Sequence, residues 1–408
     1  MFIYSHNALL VLDNQRSLIG KQMQFTLALL LALLFDSHIY GQQVSNYHYT
    51  LNIKAWQWIM PASDGVSILL MGDTNIQGRH NPSQAFQHLM PTLKAADAKF
   101  LNLEGPFSPP STDPLIPDIP FKEHWRHSEP RMVKALADAQ IDAVGVANNV
   151  TYPWQVLQNS LKVLDSAGIG YAGGGNNYAE AHTPFIVEKK NVKIAFLQYT
   201  ATFWPFNHAA QEDRPGVAAL KVHTYYEPPK QVLDKPGQPP HIITIPDEKA
   251  LAQLRKDIEQ ASKQADVVIA SFHWGVSGNP NIVGYEQTLA HAAIDAGADL
   301  IMGHGTHLIQ PIEVYREKPI FYGLGNSAFD WYRVTDKRNG LMARAVFVGE
   351  NLRHVSFVPL TRDSENDPVL LDPSTGKGNE LYEKINELSA GFGTILKIEG
   401  KEVVVTIQ

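Results

Sequence analysis

The chain has 408 residues, a formal net charge of −7, 44% hydrophobic and 18% charged residues, and no cysteine. That length and balance fit a globular chain of one to three domains with a large core. Without cysteine there is no disulfide framework, thiolate metal site or thiol nucleophile, and without a Lys/Arg cluster the acidic chain lacks the footprint of a nucleic-acid binder.

The first patterned stretch is the apolar run Phe25–Phe35, preceded by Arg16 and Lys21 and followed by small Gly41. It is too short to span a bilayer comfortably and suits the apolar segment of a secretory signal peptide. The expectation is a signal over residues 1–41, cleavage near Gly41, and an exported protein, periplasmic or extracellular. Met23 is an alternative start. No other stretch is long and apolar enough to be a transmembrane helix. Residues 42–62 read as a linker that can add an edge strand.

From Ser67 onward, apolar strand patterns alternate with helix-period segments. "VSILLMGD" reads as a strand, "SQAFQHLMPTLKAAD" as a helix bent at Pro91, and "AKFLNLE" as the next strand. "EPRMVKALADAQ" is a helix with Pro130 near its start. "IDAVGVAN", the helix "WQVLQNSLKVLDSAG" and the short strand "IGYAG" follow. "PFIVEKKNVKIAFLQYT" is a hairpin turning at Lys190 and Asn191. The helix "DEKALAQLRKDIEQASKQA" leads into the strand "DVVIASFHW", and "GYEQTLAHAAIDAGA" into "DLIMGH". "IEVYREKPIFYGLGN" is a second hairpin. The rest is mostly short strands with the helix "NELYEKINELSA". Alternation followed by hairpins predicts a layered α/β fold with mixed sheets. The domain spans 63–365, with 203–246 as a proline-rich insertion loop of little periodicity and 366–408 as a C-terminal extension packed on it.

The strand exits are polar. They carry Asp73, Glu104, Asn148 with Asn149, His273, and His304 with His307 just beyond. In α/β sheets the carboxyl ends of strands form the ligand-binding edge. A lone Asn or Asp after a strand is more often a turn residue or cap, and a lone histidine there is more often structural. The full set of exits, all with ligand-capable groups, points to one site. Carboxylate, amide and imidazole together suit Mn, Zn or Fe.

At these residues the chain resembles the CapA family of capsule-synthesis and poly-γ-glutamate accessory proteins, of the calcineurin-like metallophosphatase superfamily. The resemblance runs from about Ser67 to Leu360. "GDTNIQGR" matches the opening motif, "NLEGPFS" the second, "GGGNNYAEA" the glycine-rich stretch, "FHWG" the next, and "GHGTHLIQPIEVYREKPIFYGLGNSAFD" the closing one. It implies an α/β/β/α four-layer sandwich with two mixed sheets and a rim holding two divalent metal ions (Mn, Zn or Fe). Carried across, Asp73, Glu104, Asn149, His273, His304 and His307 are the ligands, and Asn102 and Asn148 support them. A polyanionic capsule polymer, or the machinery that makes it, is the implied partner.

The chain departs from that pattern at three places. The family's histidine after the paired asparagines is Val150, which cannot protonate a leaving group. Ser277 stands for a glutamate, and Gly305 for a second histidine. No catalytic residue is thereby assigned. General acid catalysis is worth about 10²- to 10⁴-fold, so an enzyme lacking it is crippled and not silent. His80, His124 and His127 are loop histidines available to substitute. The reading is an accessory protein with a weakened metal-dependent phosphoesterase-like site. The alternatives are an active hydrolase of a phosphoester or a γ-glutamyl or cell-wall amide, and a non-catalytic binding module.

Overall fold

The computed structural model describes Trp58 and residues 64–407, except 114, 231–233 and 332–337. The expected signal segment and its cleavage point lie outside the described residues, as does the expected linker apart from Trp58. That indole is buried, and its carbonyl accepts a hydrogen bond from Thr92 Oγ1 at 3.0 Å.

In chain order the strands are β1 (Val66–Asn75), β2 (Ala98–Leu103), β3 (Ala143–Gly145), β4 (Gly170–Ala172), β5 (Gly174–Gly175), β6 (Phe185–Lys189), β7 (Val192–Thr200), β8 (Gly216–Val217), β9 (Val222–Glu227) and β10 (His241–Pro246). They continue as β11 (Val267–His273), β12 (Leu300–His304), β13 (Ile312–Tyr315), β14 (Lys318–Phe321), β15 (Asn326–Phe329), β16 (Gly340–Val348), β17 (Asn351–Arg362), β18 (Pro368–Leu370), β19 (Leu396–Glu399) and β20 (Glu402–Val405). The first large sheet runs β19-β20-β17-β16-β1-β2-β3-β4, with β15 paired to β1 and β18 to β17. The second runs β13-β14-β12-β11-β7-β6. Both are mixed. Pairing is parallel from β1 through β4, between β1 and β15, and from β7 through β12 and β14, and antiparallel elsewhere in the two sheets.

Period-two alternation explains how the sheets stack. On β1, Ile68 and Leu70 join Phe196, Ile269, Leu300 and Met302 of the second sheet in one core between the sheets. Leu69 and Met71 face the other way, onto Leu93, Leu136, Leu157 and Leu161. On the second sheet, Ala195, Val268 and Ile301 pack against Leu254 and Ile258 of helix Glu248–Ala261 and Leu289 and Ala293 of helix Gly284–Asp295. Three apolar layers therefore separate α, β, β and α, as the family resemblance implies. Phe100 of β2 stacks on Phe196 of β7 across the middle layer, centroids 4.6 Å apart.

Local chemistry sets the element ends. The Lys190–Asn191 and Arg316–Glu317 turns take positive φ and close two-residue hairpins, as primed turns do. The helix expected to bend at Pro91 is instead a 3-10 turn, Pro82–Phe86, followed by helix Met90–Ala95. Proline has no N–H to donate and is tolerated only in a first turn, so the segment breaks ahead of it.

The segment read as an irregular insertion holds a two-stranded ribbon. Tyr225 and Tyr226 of β9 face Ile243 and Ile242 of β10 in antiparallel register. Aromatic and β-branched cross-strand pairs of this kind favour pairing despite the surrounding prolines. Beyond 365, β18 and β20 pair with β17, and Leu381 and Ile385 of helix Gly376–Ala390 enter the middle core.

Candidate metal centre

The strand ends converge across both sheets. From the first come Asp73 within β1, Asn102 within β2, Glu104 just after it, and Asn148 and Asn149 beyond β3. From the second come His273 at the end of β11 and His304 at the end of β12. Parallel registers align them: Asp73 pairs with Asn102, and His273 with His304. β15 lies on the other side of β1 with Asn326 opposite Asp73.

Asp73 is the hub. Its Oδ1 accepts from Asn102 Nδ2 at 2.8 Å, and its Oδ2 from the Gly305 N–H at 3.0 Å. His304 Nδ1 lies 3.5 Å from Oδ1, and His307 Nδ1 lies 3.3 Å from Oδ2. His273 Nδ1 is 3.2 Å from His304 Nδ1, and His307 Nε2 is 3.6 Å from Glu104 Oε1. Two donor groups result, Asp73–His273–His304 and Asp73–Glu104–His307, and they share the Asp73 carboxylate.

These donors fit divalent ions. A tetrahedral ion with ligands at about 2.0–2.1 Å holds neighbouring ligand atoms roughly 3.4 Å apart, close to the spacings just given. Both carboxylate oxygens of Glu104 and Oδ1 of Asn149 are buried with no hydrogen-bond partner. Buried polar atoms are ordinarily satisfied, so these oxygens are poised for a ligand of another kind.

Around the donors is an amide framework. Gln198 Nε2 donates to Asn102 Oδ1 at 2.8 Å and to the Ala147 carbonyl at 3.1 Å. Asn148 Nδ2 donates to the Leu103 carbonyl at 2.8 Å, while its Oδ1 accepts from the N–H groups of Val150 and Thr151. Ser271 Oγ lies 2.8 Å from His304 Nε2 and occupies that nitrogen, leaving Nδ1 toward Asp73. His307 Nδ1 also meets Asn326 Oδ1 at 3.0 Å. Such partners fix ring orientation in metal sites. Asn102 thus lies against the Asp73 carboxylate, and Asn148 ties the Leu103 carbonyl to the turn at Val150 and Thr151. Gln198, Ser271 and Asn326 are additions that the strand-exit pattern missed. A lone amide in the buried strand "IAFLQYT" was the signal for Gln198.

Charge in the site is divided. Burial holds His304 down at about 4 and His273 well below its ordinary value, so both are neutral imidazoles, the ligand form. Burial alone would raise Asp73, but the hydrogen bond and charge of His307, with His304 and His273, hold it below the usual carboxylate range. His307 is pushed up, because Glu104 and Asp73 outweigh its desolvation. Burial pushes Glu104 up to about 8, with the Asp73 charge adding to it. At neutral pH the metal-free site therefore holds a proton on Glu104 that an ion must displace. Metal affinity is expected to rise with pH and level off above about 8. For folding the sign is opposite: a raised carboxyl stabilises the metal-free fold below its unfolded pKa, and that stabilisation is lost as pH rises through about 8. Calorimetric titration in buffers of different ionisation enthalpy measures the released protons. An affinity flat between about pH 6 and about pH 9 would contradict this linkage.

The departures from the family pattern have structural counterparts. Val150 is fully buried and packs with Ile119 and Trp125, with Tyr152, Trp204 and Trp331 against them. Gly305 has φ +103°, and a Cβ there would meet the Trp274 carbonyl oxygen at 2.9 Å, so no larger side chain fits this backbone. Ser277 is exposed in the turn after β11. Of the loop histidines, His80 and His124 are exposed. His127 is buried, accepts from the Trp125 indole at 3.3 Å, and is held by burial at about 4.

The family model described as bacterial capsule synthesis protein PGA_cap matches residues 55–331. Capsule biosynthesis protein CapA of Bacillus anthracis is 26% identical, covering 81% of this chain and 75% of that one. PGA biosynthesis protein CapA of Bacillus subtilis is 25% identical over 81% of this chain and 82% of its own. Among solved structures, one titled a novel phosphatase from Mycoplasma pneumoniae has 10% identity and a TM-score of 0.45, covering 74% of this chain and 96% of that chain.

Proposed function

Because the chain belongs to the bacterial capsule synthesis family PGA_cap, we propose that it is an exported accessory protein of anionic capsule-polymer synthesis, with a two-metal, phosphoesterase-like site weakened in its acid step. Poly-γ-glutamate is the polymer favoured, because PGA is named for the Bacillus subtilis relative. Export is favoured by the apolar run Phe25–Phe35 between basic residues and Gly41. Among the described residues, no helix is long and apolar enough to cross a membrane.

The observation that carries the reading is the shared Asp73 carboxylate between two donor groups. Ions at these donors would supply Lewis-acid polarisation of a phosphoryl or carbonyl oxygen. Asp73, His273 and His304 would hold one, and Asp73, Glu104 and His307 the other, and the buried, unpartnered Asn149 amide oxygen is a further candidate donor. Asn102 and Gln198 keep the Asp73 carboxylate oriented, and the Gly305 N–H fixes its second oxygen. Val150 offers no proton, which removes the step the family assigns to histidine.

Elemental analysis of purified protein, together with a generic phosphoesterase assay, tests the reading. Bound metal with a slow rate is expected. Absence of metal after loading with Mn or Zn sinks it, and a fast rate replaces the weakened-enzyme version with an active hydrolase. N-terminal sequencing of the native protein tests export. An intact Met1 or Met23 terminus recovered from the cytosol counts against it.

The geometry refines what restoring the histidine should do. Val150→His adds volume to a filled apolar cluster, and overpacking of that kind typically costs about 1–3 kcal/mol. A lowered melting point is expected alongside any gain in rate. An unchanged melting point would mean that the new ring has left the cluster.

A further inference from the structure

Lys122 lies in the loop between β2 and β3, held by short turns on either side: its N–H donates to the Ile119 carbonyl, and its carbonyl accepts from Trp125 N–H, both at 3.0 Å. Its ammonium stands 5.0 Å from the Trp125 ring centroid and 5.1 Å from that of Trp331. The two indoles meet edge-on with centroids 5.1 Å apart. Trp331 follows β15, the strand whose Asn326 pairs with Asp73. Trp125 packs on Val150, the residue after the candidate ligand Asn149. The lysine is thus seated on the aromatic wall that fills the place of the missing histidine.

Among the described residues, no carboxylate lies within ion-pair distance of this ammonium. Aromatic faces attract a cation but leave its N–H donors available. Burial lowers the pKa of the Lys122 ammonium, and the charges of Glu104 and Asp73 offset part of that lowering. With ions bound, those carboxylates are neutralised and the ammonium is left to attract an anion.

The geometry points to Lys122, cradled by Trp125 and Trp331 on the Val150 side of the metal centre, as the group that binds an anionic oxygen of the substrate. The assignment rests on the reading of that centre given above and adds the substrate class: an oxyanion, either phosphoryl or carboxylate. A point charge with rotatable donors suits either one. Lys122 would thereby restore the positive charge lost at position 150 without restoring its proton-transfer geometry.

Equilibrium binding of inorganic phosphate and of glutarate, measured calorimetrically on metal-treated wild type, Lys122→Met and Lys122→Arg, tests this. Loss of a hydrogen bond to a charged group should weaken the anion about tenfold or more in Lys122→Met. Lys122→Arg, which keeps the charge, should stay within about threefold of wild type. Metal content, read separately, should be the same in all three. Tighter phosphate binding assigns a phosphoryl substrate, and tighter glutarate binding a carboxylate. Equal anion affinity in wild type and Lys122→Met overturns the proposal, whatever happens to the melting point, because a loop clamp would move stability alone. Wild type that binds neither anion overturns it too. Protein that takes up no metal on loading yet binds anion through Lys122 would refute the metal reading and leave this one standing. Metal-loaded protein indifferent to Lys122→Met would do the reverse.

Discussion

Asp73→Asn is expected to empty the candidate metal centre. The substitution preserves size and can keep one hydrogen bond, but it removes the charge that both donor groups share. Loss of a partner one shell out from a metal typically costs 10- to 100-fold in affinity, so loss of a shared ligand should cost at least about 100-fold. Elemental analysis after dialysis should find both ions gone, and any phosphoesterase rate with them. Retention of either ion at wild-type stoichiometry would show that Asp73 is not the bridge. The metal-free proteins should also differ in acid. The wild-type carboxyl titrates below its ordinary range because His307, His304 and His273 surround it. It therefore stabilises the fold above the unfolded carboxyl pKa, and that contribution fades as pH falls through the depressed value. Asp73→Asn should lack this part of the acid transition.

Phe100→Ala should produce the largest loss of stability outside the site. Phe100 is fully buried and lies flat against Phe196, with an interplanar angle of 2°. The pair joins β2 to β7 and so joins the two sheets through the middle core. Truncating a buried phenylalanine typically costs about 3–5 kcal/mol, from lost transfer energy and the cavity left behind. Chemical denaturation at fixed metal content measures it. A loss below about 1 kcal/mol would mean that the sheets close over the gap and that the stack is not what holds them in register.

Much of the architecture was legible because it is locally encoded. The apolar run of β1, the helix periods and the turn residues at 190–191 declare their elements without help from the rest of the chain. Asp73, Glu104, His273, His304 and His307 were legible because the ends of parallel strands share an edge. The closing motif from Gly303 added family resemblance. The unread parts depend on contacts distant in sequence. Nothing near Gln198 says that its amide reaches Asn102 and Ala147 from the opposite sheet. Nothing near Lys122 says that Trp331 will stand over it. The β9–β10 ribbon was obscured by prolines, which mask pairing when only composition is weighed.

The donors come from strands of both sheets, and Gly305 is 232 residues from the Asp73 carboxylate it meets. An ion held there would act as a reversible cross-link that closes most of the polypeptide into one loop. Ligand concentration then becomes a stability variable: at about 100 times the dissociation constant, binding to the native state alone adds about 2.7 kcal/mol. A molecule in a metal-poor space would unfold and meet proteases more readily than the same chain loaded with metal. Its lifetime would therefore track the local supply of divalent ions, independently of any chemistry performed at the rim.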